Sequence, residues 1–186
     1  MLYTRKGDSG TTKTFGCDQR ISKSSAIAEA LGSLDEINSF LGFCKVKADE
    51  KGLTLNLKKG LTLGVFIHEI QKNLFIIQAE LAGASMSIDE AKVKEVEMII
   101  DAIEKELPPI KTFFISGGTE LATIFDIART ISRRVERRVI GVVEEGKILV
   151  SKFTLAYLNR LSSLLYAFAR LANHRAGITE KSPDYK

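Results

Sequence analysis

The residues best equipped for chemistry lie in one run, Ser116-Gly-Gly-Thr-Glu-Leu-Ala-Thr-Ile-Phe-Asp-Ile-Ala-Arg-Thr-Ile-Ser-Arg-Arg-Val-Glu-Arg-Arg138. Five arginines, at 129, 133, 134, 137 and 138, crowd its second half with no lysine among them. Solvated helix faces usually mix the two residues, whereas the planar fork of arginine suits carboxylates and phosphates. Arg129, Arg133, Glu136 and Arg137 stand at i, i+4, i+7 and i+8, along one side of a helix. Alone, such a helix fits a salt-bridged solvated face as well as an anion grip. A second segment, Tyr3-Thr-Arg-Lys-Gly-Asp-Ser-Gly-Thr-Thr-Lys-Thr14, holds two glycines, four threonines, a serine and three basic residues without helical or strand period. Its content suits either a floppy terminus or a phosphate-cradling loop, with glycines for close backbone approach and hydroxyls and cations as donors. It is not a Walker A loop, because no Gly-Lys-Ser/Thr follows at the required spacing.

The elements that must position these groups are helical. Ile27, Leu31, Leu34, Ile37 or Phe40, Leu41 and Cys44 predict a helix over about 24–47. Its second stripe, Gly32, Asp35, Ser39 and Gly42, is small and polar, so a helix or ligand can approach Asp35 closely. A loop over 51–56 precedes a long helix from Leu57 to Gly83, with Leu61, Val65, Ile70, Leu74, Ile77 and Leu81 inward and Gly83 as the stop. Ser87-Ile-Asp-Glu90 reads as a capping box for a helix bearing Val96, Ile99, Ile103 and Leu107, ended by Pro108-Pro109. Lys111–Ile115 is an extended connector, and the arginine helix follows to about Glu145. Gly146-Lys147 breaks it. A last helix runs from Leu149 to His174, with Asn159, Ser163, Tyr166, Arg170 and Asn173 on its polar side. Residues 1–23 form an extended N-terminal loop, and 179–186 a disordered tail. The expectation is an all-α, five-helix up-and-down bundle forming a single domain over 1–186.

Composition narrows the function. The chain has 186 residues, 45% of them hydrophobic and 27% charged, with a net charge of +4. That charge tolerates an anionic small ligand but is low for a nucleic-acid-binding module, which would also need further basic clusters. Cys17 and Cys44 are too few for a disulfide framework, pointing to a reducing, cytoplasmic setting. Met1–Lys6 lacks the apolar core of a signal peptide, and no apolar run reaches the roughly 18 residues of a membrane span. His68 and His174 follow Val65 and Leu171 by three residues, so the Glu-x-x-His pairs of a di-iron bundle are absent. His68 reads as a core or interface residue.

Four segments carry a resemblance: Tyr3-Thr-Arg-Lys-Gly-Asp-Ser-Gly10, Gly32-Ser-Leu-Asp-Glu-Ile-Asn-Ser39, Gly117-Gly-Thr-Glu-Leu121 with Ala128-Arg-Thr-Ile-Ser-Arg-Arg-Val-Glu-Arg137, and Asn159-Arg-Leu-Ser162. In this order the chain resembles the PduO-type ATP:cob(I)alamin adenosyltransferases. The resemblance implies a homotrimer of five-helix bundles with active sites between subunits. It also implies transfer of the 5′-deoxyadenosyl group of ATP to cob(I)alamin, with release of triphosphate. By the same resemblance Thr4, Arg5, Lys6, Gly7 and Thr12 order over ATP, and Lys23 contacts its phosphates. Arg133, Glu136 and Arg137 match the ATP-binding run, Asn159 the adenosine side, and Asp35 with Arg129 a pair bridging subunits. Phe113 matches an aromatic walling the corrinoid, with Phe114 beside it as the other candidate. Mg²⁺ would be held through the ATP phosphates, and a cobalt reductase is an implied partner. Ser163 stands where many members carry Asp, and Arg5 where lysine is usual. The alternatives are an ATP-binding regulatory trimer without catalysis and, further off, a basic helical nucleic-acid-binding module.

Overall fold

A computed structural model of the chain describes residues 2–14, 20–55, 61–146 and 148–185. Five helices carry it: α1 (Ala26–Lys51), α2 (Leu63–Leu81), α3 (Glu90–Glu106), α4 (Glu120–Glu144) and α5 (Lys152–Arg175). Each begins on a side-chain cap. Ser25, Thr62, Asp89, Thr119 and Ser151 each accept a hydrogen bond from a first-turn amide that has no partner inside the helix. Two-residue strands β1 (Thr11–Thr12) and β2 (Ile21–Ser22) pair antiparallel, so the N-terminal segment has the small strand pair that its sequence did not suggest.

In the bundle α4 packs on α5 and α1, α1 on α2, and α5 on α3. The core runs through Leu34, Ile37, Ile67, Ile70, Leu74, Phe125, Val135, Leu161 and Phe168, all buried. Phe168 is ringed by Phe66 and Phe125, with centroids 6.4 and 5.4 Å away. Polar groups stitch the helices where they meet. Asn38 Nδ2 donates to the Gln71 carbonyl at 3.3 Å, and Gln71 Nε2 donates to the Asn38 carbonyl at 3.0 Å. Buried Glu80, near the end of α2, accepts from the Ser151 amide at 2.7 Å and the Thr154 hydroxyl at 2.5 Å. That carboxylate thereby satisfies and charge-stabilises the start of α5.

Helix ends differ from the periodic reading wherever a tertiary contact sets them. Helix α1 extends past Lys47 to Lys51 because Ala48 is buried and Lys45–Asp49 pairs at 2.6 Å, until Gly52 turns left-handed at φ 59°. Helix α2 starts at Leu63, since 53–55 and 61–63 form an extended bridge with Leu55 N to Leu61 O at 2.8 Å. Val65 is therefore exposed, and Phe66 and Ile67 turn inward. Asp89, not Ser87, caps α3, because Ile88 must enter the core and its amide reaches Thr154 Oγ1. Helix α5 begins at Lys152, leaving Leu149 exposed, and His68 is exposed on α2. Gly83 does stop α2, with φ 95° and Ala84 N bonded to Ala79 O. Cys17, Leu57 and Lys147 lie outside the described residues.

The tail departs most from expectation. Through 179–183 it lies against the connector before α4. Ile115 N donates to the Lys181 carbonyl at 2.8 Å, Thr112 and Ser182 hydroxyls meet at 3.0 Å, and Arg170 pairs with Glu180 at 2.9 Å. A polar, glycine-flanked terminus reads as disordered only while its partners in the fold are unknown.

Candidate active site

The start of α4 is built on an asparagine of α5. Gly117 and Gly118 take φ of 136° and 102°, a turn open to glycine but strained for other residues. Buried Asn173 fills the space where a Gly118 side chain would stand. Its Oδ1 accepts from Thr119 N at 2.9 Å and its Nδ2 donates to Gly117 O at 2.8 Å. From this anchor α4 buries Leu121, Phe125, Ala128, Val135 and Val139, which leaves the arginines on the outer faces.

Those arginines divide by partner. Arg134 Nη2 reaches both Glu36 oxygens at 2.6 Å, and Arg138 lies 3.9 Å from Glu29. Arg129 pairs with Asp126 at 3.2 Å and lies 5.8 Å over the Tyr166 ring. Arg133 and Arg137 have no hydrogen bond, ion pair or ring contact among the described residues. Between them Glu136 accepts from Asn159 Nδ2 of α5 at 2.8 Å, and Asn159 Oδ1 accepts from Arg160 at 2.9 Å.

A cleft of about 360 Å³ opens beside this face, walled by α4, α5, the 110–117 connector and Glu180 of the tail. Phe113, Phe114, Arg129, Arg133, Ser163 and Tyr166 line it. Phe113 stands free at its wall, 81% exposed, whereas Phe114 is half-buried with the Arg170 guanidinium 5.1 Å from its ring. Burial pushes the Tyr166 phenol up, so it stays neutral there. The Ser132 and Ser162 hydroxyls donate to carbonyls of their own helices, and neither histidine lines the cleft. The lining combines arginines, hydroxyls, an aromatic wall and the Asp126 and Glu180 carboxylates, each of which is paired with an arginine.

The N-terminal candidates form their own cluster. Arg5 has a left-handed φ of 59°, and Lys6 N lies 3.4 Å from Thr4 Oγ1. Arg20 donates to the Lys6 carbonyl and, at 2.8 Å, to the Thr11 carbonyl. Lys23 N bonds Gly10 O at 2.9 Å, and its ammonium lies against Gly7, 2.8 Å from where a Cβ would stand. Thr12 sits in β1 opposite Ile21. No residue of 2–14 lines the α4 cleft. Asp35 is exposed on α1 without a partner among the described residues, and it does not pair with Arg129, whose partner is Asp126. Periodicity alone missed Arg20, Asp126, Glu180 and the burial of Arg170 and Asn173. The last two stood on an expected polar stripe, and only the connector and tail laid across them make it an interior one.

The model for cobalamin adenosyltransferase matches residues 2–172. The chain belongs to the cobalamin adenosyltransferase family. It is 36% identical over 182 residues to the corrinoid adenosyltransferase PduO of Citrobacter freundii, covering 94% of this chain and 50% of that protein. It is 37% identical to the corrinoid adenosyltransferase of Bacillus subtilis, over 95% of this chain and 89% of that one. The chain spans about half the length of the PduO protein it matches. Its fold resembles a variant PduO-type ATP:corrinoid adenosyltransferase from Lactobacillus reuteri complexed with cobalamin and ATP, with a TM-score of 0.86 and 29% identity. That likeness covers 100% of this chain and 97% of the other. The five-helix architecture expected from the periodicity is thus the architecture of this family. Among the described residues no helix is long and apolar enough to cross a membrane.

Proposed function

We propose that this chain transfers the 5′-deoxyadenosyl group of ATP to the cobalt of cob(I)alamin, giving adenosylcobalamin and triphosphate. The observation that carries this reading is the pairing pattern on α4: three arginines are matched to carboxylates, whereas Arg133, which lines the cleft, and Arg137, one turn further on, have no partner among the described residues. That is what the reaction asks for. The cobalt(I) lone pair attacks C5′, the C5′–O bond breaks, and its electrons leave on triphosphate. The protein supplies position and charge stabilisation for the leaving group.

Arg133 and Arg137 take the triphosphate, together with Lys23 and the Thr4–Gly7 and Thr12 amides and hydroxyls. Glu136 and Asn159, already bonded to each other, face the adenosine. Phe113 covers the corrin face, excluding water and a lower axial ligand, which favours four-coordinate cobalt(II) and its reduction by a separate reductase. Among the described residues no three acidic, histidine or cysteine side chains converge as a metal site. Mg²⁺ would come on the ATP phosphates, as this hard cation commonly does.

The protein would act as a homotrimer in which the N-terminal cluster reaches ATP across a subunit boundary, braced by Asp35 of one subunit and Arg129 of the next; the absence of residues 2–14 from the cleft lining of their own chain supports this. Exposed Phe43, Phe75 and Ile127 on α1, α2 and α4 give such an interface apolar surface. The setting is the cytoplasm. Anaerobic incubation with ATP and reduced cobalamin, followed by the corrinoid spectrum, tests the reading. Conversion to the alkylcobalamin spectrum supports it. ATP binding with an unchanged spectrum would instead favour a regulatory trimer, in keeping with Ser163 in the cleft. Salt-sensitive binding of RNA in preference to ATP would favour the nucleic-acid module.

A further inference from the structure

The Arg170–Glu180 pair is the most buried ion pair among the described residues, with side chains 6% and 16% exposed. The contacts of Arg170 beyond Glu180 end on the connector that carries Phe113. Arg170 Nε donates to Glu180 at 2.9 Å, Nη2 donates to the Pro108 carbonyl at 3.1 Å, and the guanidinium lies 5.1 Å from the Phe114 ring centroid. Glu180 in turn fixes the tail, whose Lys181 carbonyl accepts from Ile115 N at 2.8 Å and whose Ser182 meets Thr112 at 3.0 Å. The connector is thus held at residues 108, 112, 114 and 115, on both sides of the exposed Phe113 ring. Arg170 and Glu180 themselves line the cleft beside Arg129 and Arg133.

We propose that Glu180, acting through Arg170, is a positioning residue that clamps the C-terminal tail onto the 108–115 connector and sets Phe113 against the corrinoid. This rests on the adenosyltransferase reading. A buried pair suits the task better than an exposed one. Arginine's fork holds two acceptors at fixed angles, and the desolvated pair has few alternative partners. Misplacing a wall of a reacting complex costs rate without loosening a ligand bound elsewhere.

The test compares Glu180→Ala and Glu180→Asp with the parent protein. The readouts are KM for cobalamin, KM for ATP, the fraction of four-coordinate cobalt(II) with ATP bound, and amide exchange across 112–116. Glu180→Ala should raise KM for cobalamin by on the order of tenfold and deplete four-coordinate cobalt(II), with KM for ATP unchanged. Exchange at 112–116 should quicken, and Glu180→Asp should recover most of each loss. Where Glu180→Ala does not fold, Glu180→Gln keeps the shape and one acceptor and should show the same split. Equal changes in both KM values, or faster exchange with an unchanged cobalamin KM, would overturn the proposal. A parent protein that protects 112–116 from exchange yet never alkylates cobalamin would mark failure of the adenosyltransferase reading itself, and the proposal would fall with it.

Discussion

At the scale of single residues, the free and the paired arginines of α4 should behave differently although they are neighbours in sequence. Arg133→Ala removes a charged donor from the leaving triphosphate and should slow the single-turnover rate by about 10²–10³-fold. Arg134→Ala breaks only the exposed pair with Glu36, so turnover should hold and stability should fall by no more than about 1 kcal/mol. Rapid-mixing kinetics and denaturant unfolding separate the two, and near-normal turnover in Arg133→Ala would remove that residue from the site. Phe113→Ala should impair cobalt(II) reduction far more than ATP affinity, because the ring is exposed and touches no phosphate-binding group. Equal losses in both would count against its place at the corrin.

At the scale of elements, the glycine turn before α4 is the least replaceable local structure. Gly118→Ala meets a left-handed φ of 102° and a collision with Asn173, and should cost on the order of 1–3 kcal/mol in denaturant unfolding. An unchanged midpoint would mean that Asn173 yields more easily than its three hydrogen bonds suggest. The pair Gly117-Gly118 stood out in the sequence as the opening of a helix, and most of the apolar stripes of α1, α2 and α3 were readable from their spacing, with Val65 the exception. The partners of that turn were not. Asn173 and Arg170 recur at helical steps with Asn159 and Tyr166, and in a lone helix such a stripe faces water. Which polar stripe becomes interior depends on where a connector 50 or more residues away is laid down, and no local pattern carries that. The same holds for the starts of α2 and α5, where an extended bridge between 53–55 and 61–63 and the buried Glu80 carboxylate override the apolar run.

At the scale of the whole molecule, burial predicts the alkaline limb of stability. Burial pushes the Cys44 thiol up to about 12 and the Tyr157 phenol up as well. In the unfolded chain these groups lose protons near about 8.5 and 10. Above those values the folded state binds more protons than the unfolded state, so stability falls as pH rises, and below about 8.5 the two groups contribute no slope. Unfolding midpoints from pH 7 to 10.5 should therefore decline, and less steeply in Cys44→Ala. A rising limb would contradict the assignment. If the site is shared as proposed, sedimentation should return a trimer, and a fully active monomer would refute the shared site. Adenosyl transfer is tested most directly by the phosphorus product of a single turnover with ATP and cob(I)alamin, followed by ³¹P NMR beside the corrinoid spectrum. One intact triphosphate should appear for each cobalt–carbon bond formed. ADP or orthophosphate accumulating without alkylated corrinoid would contradict it.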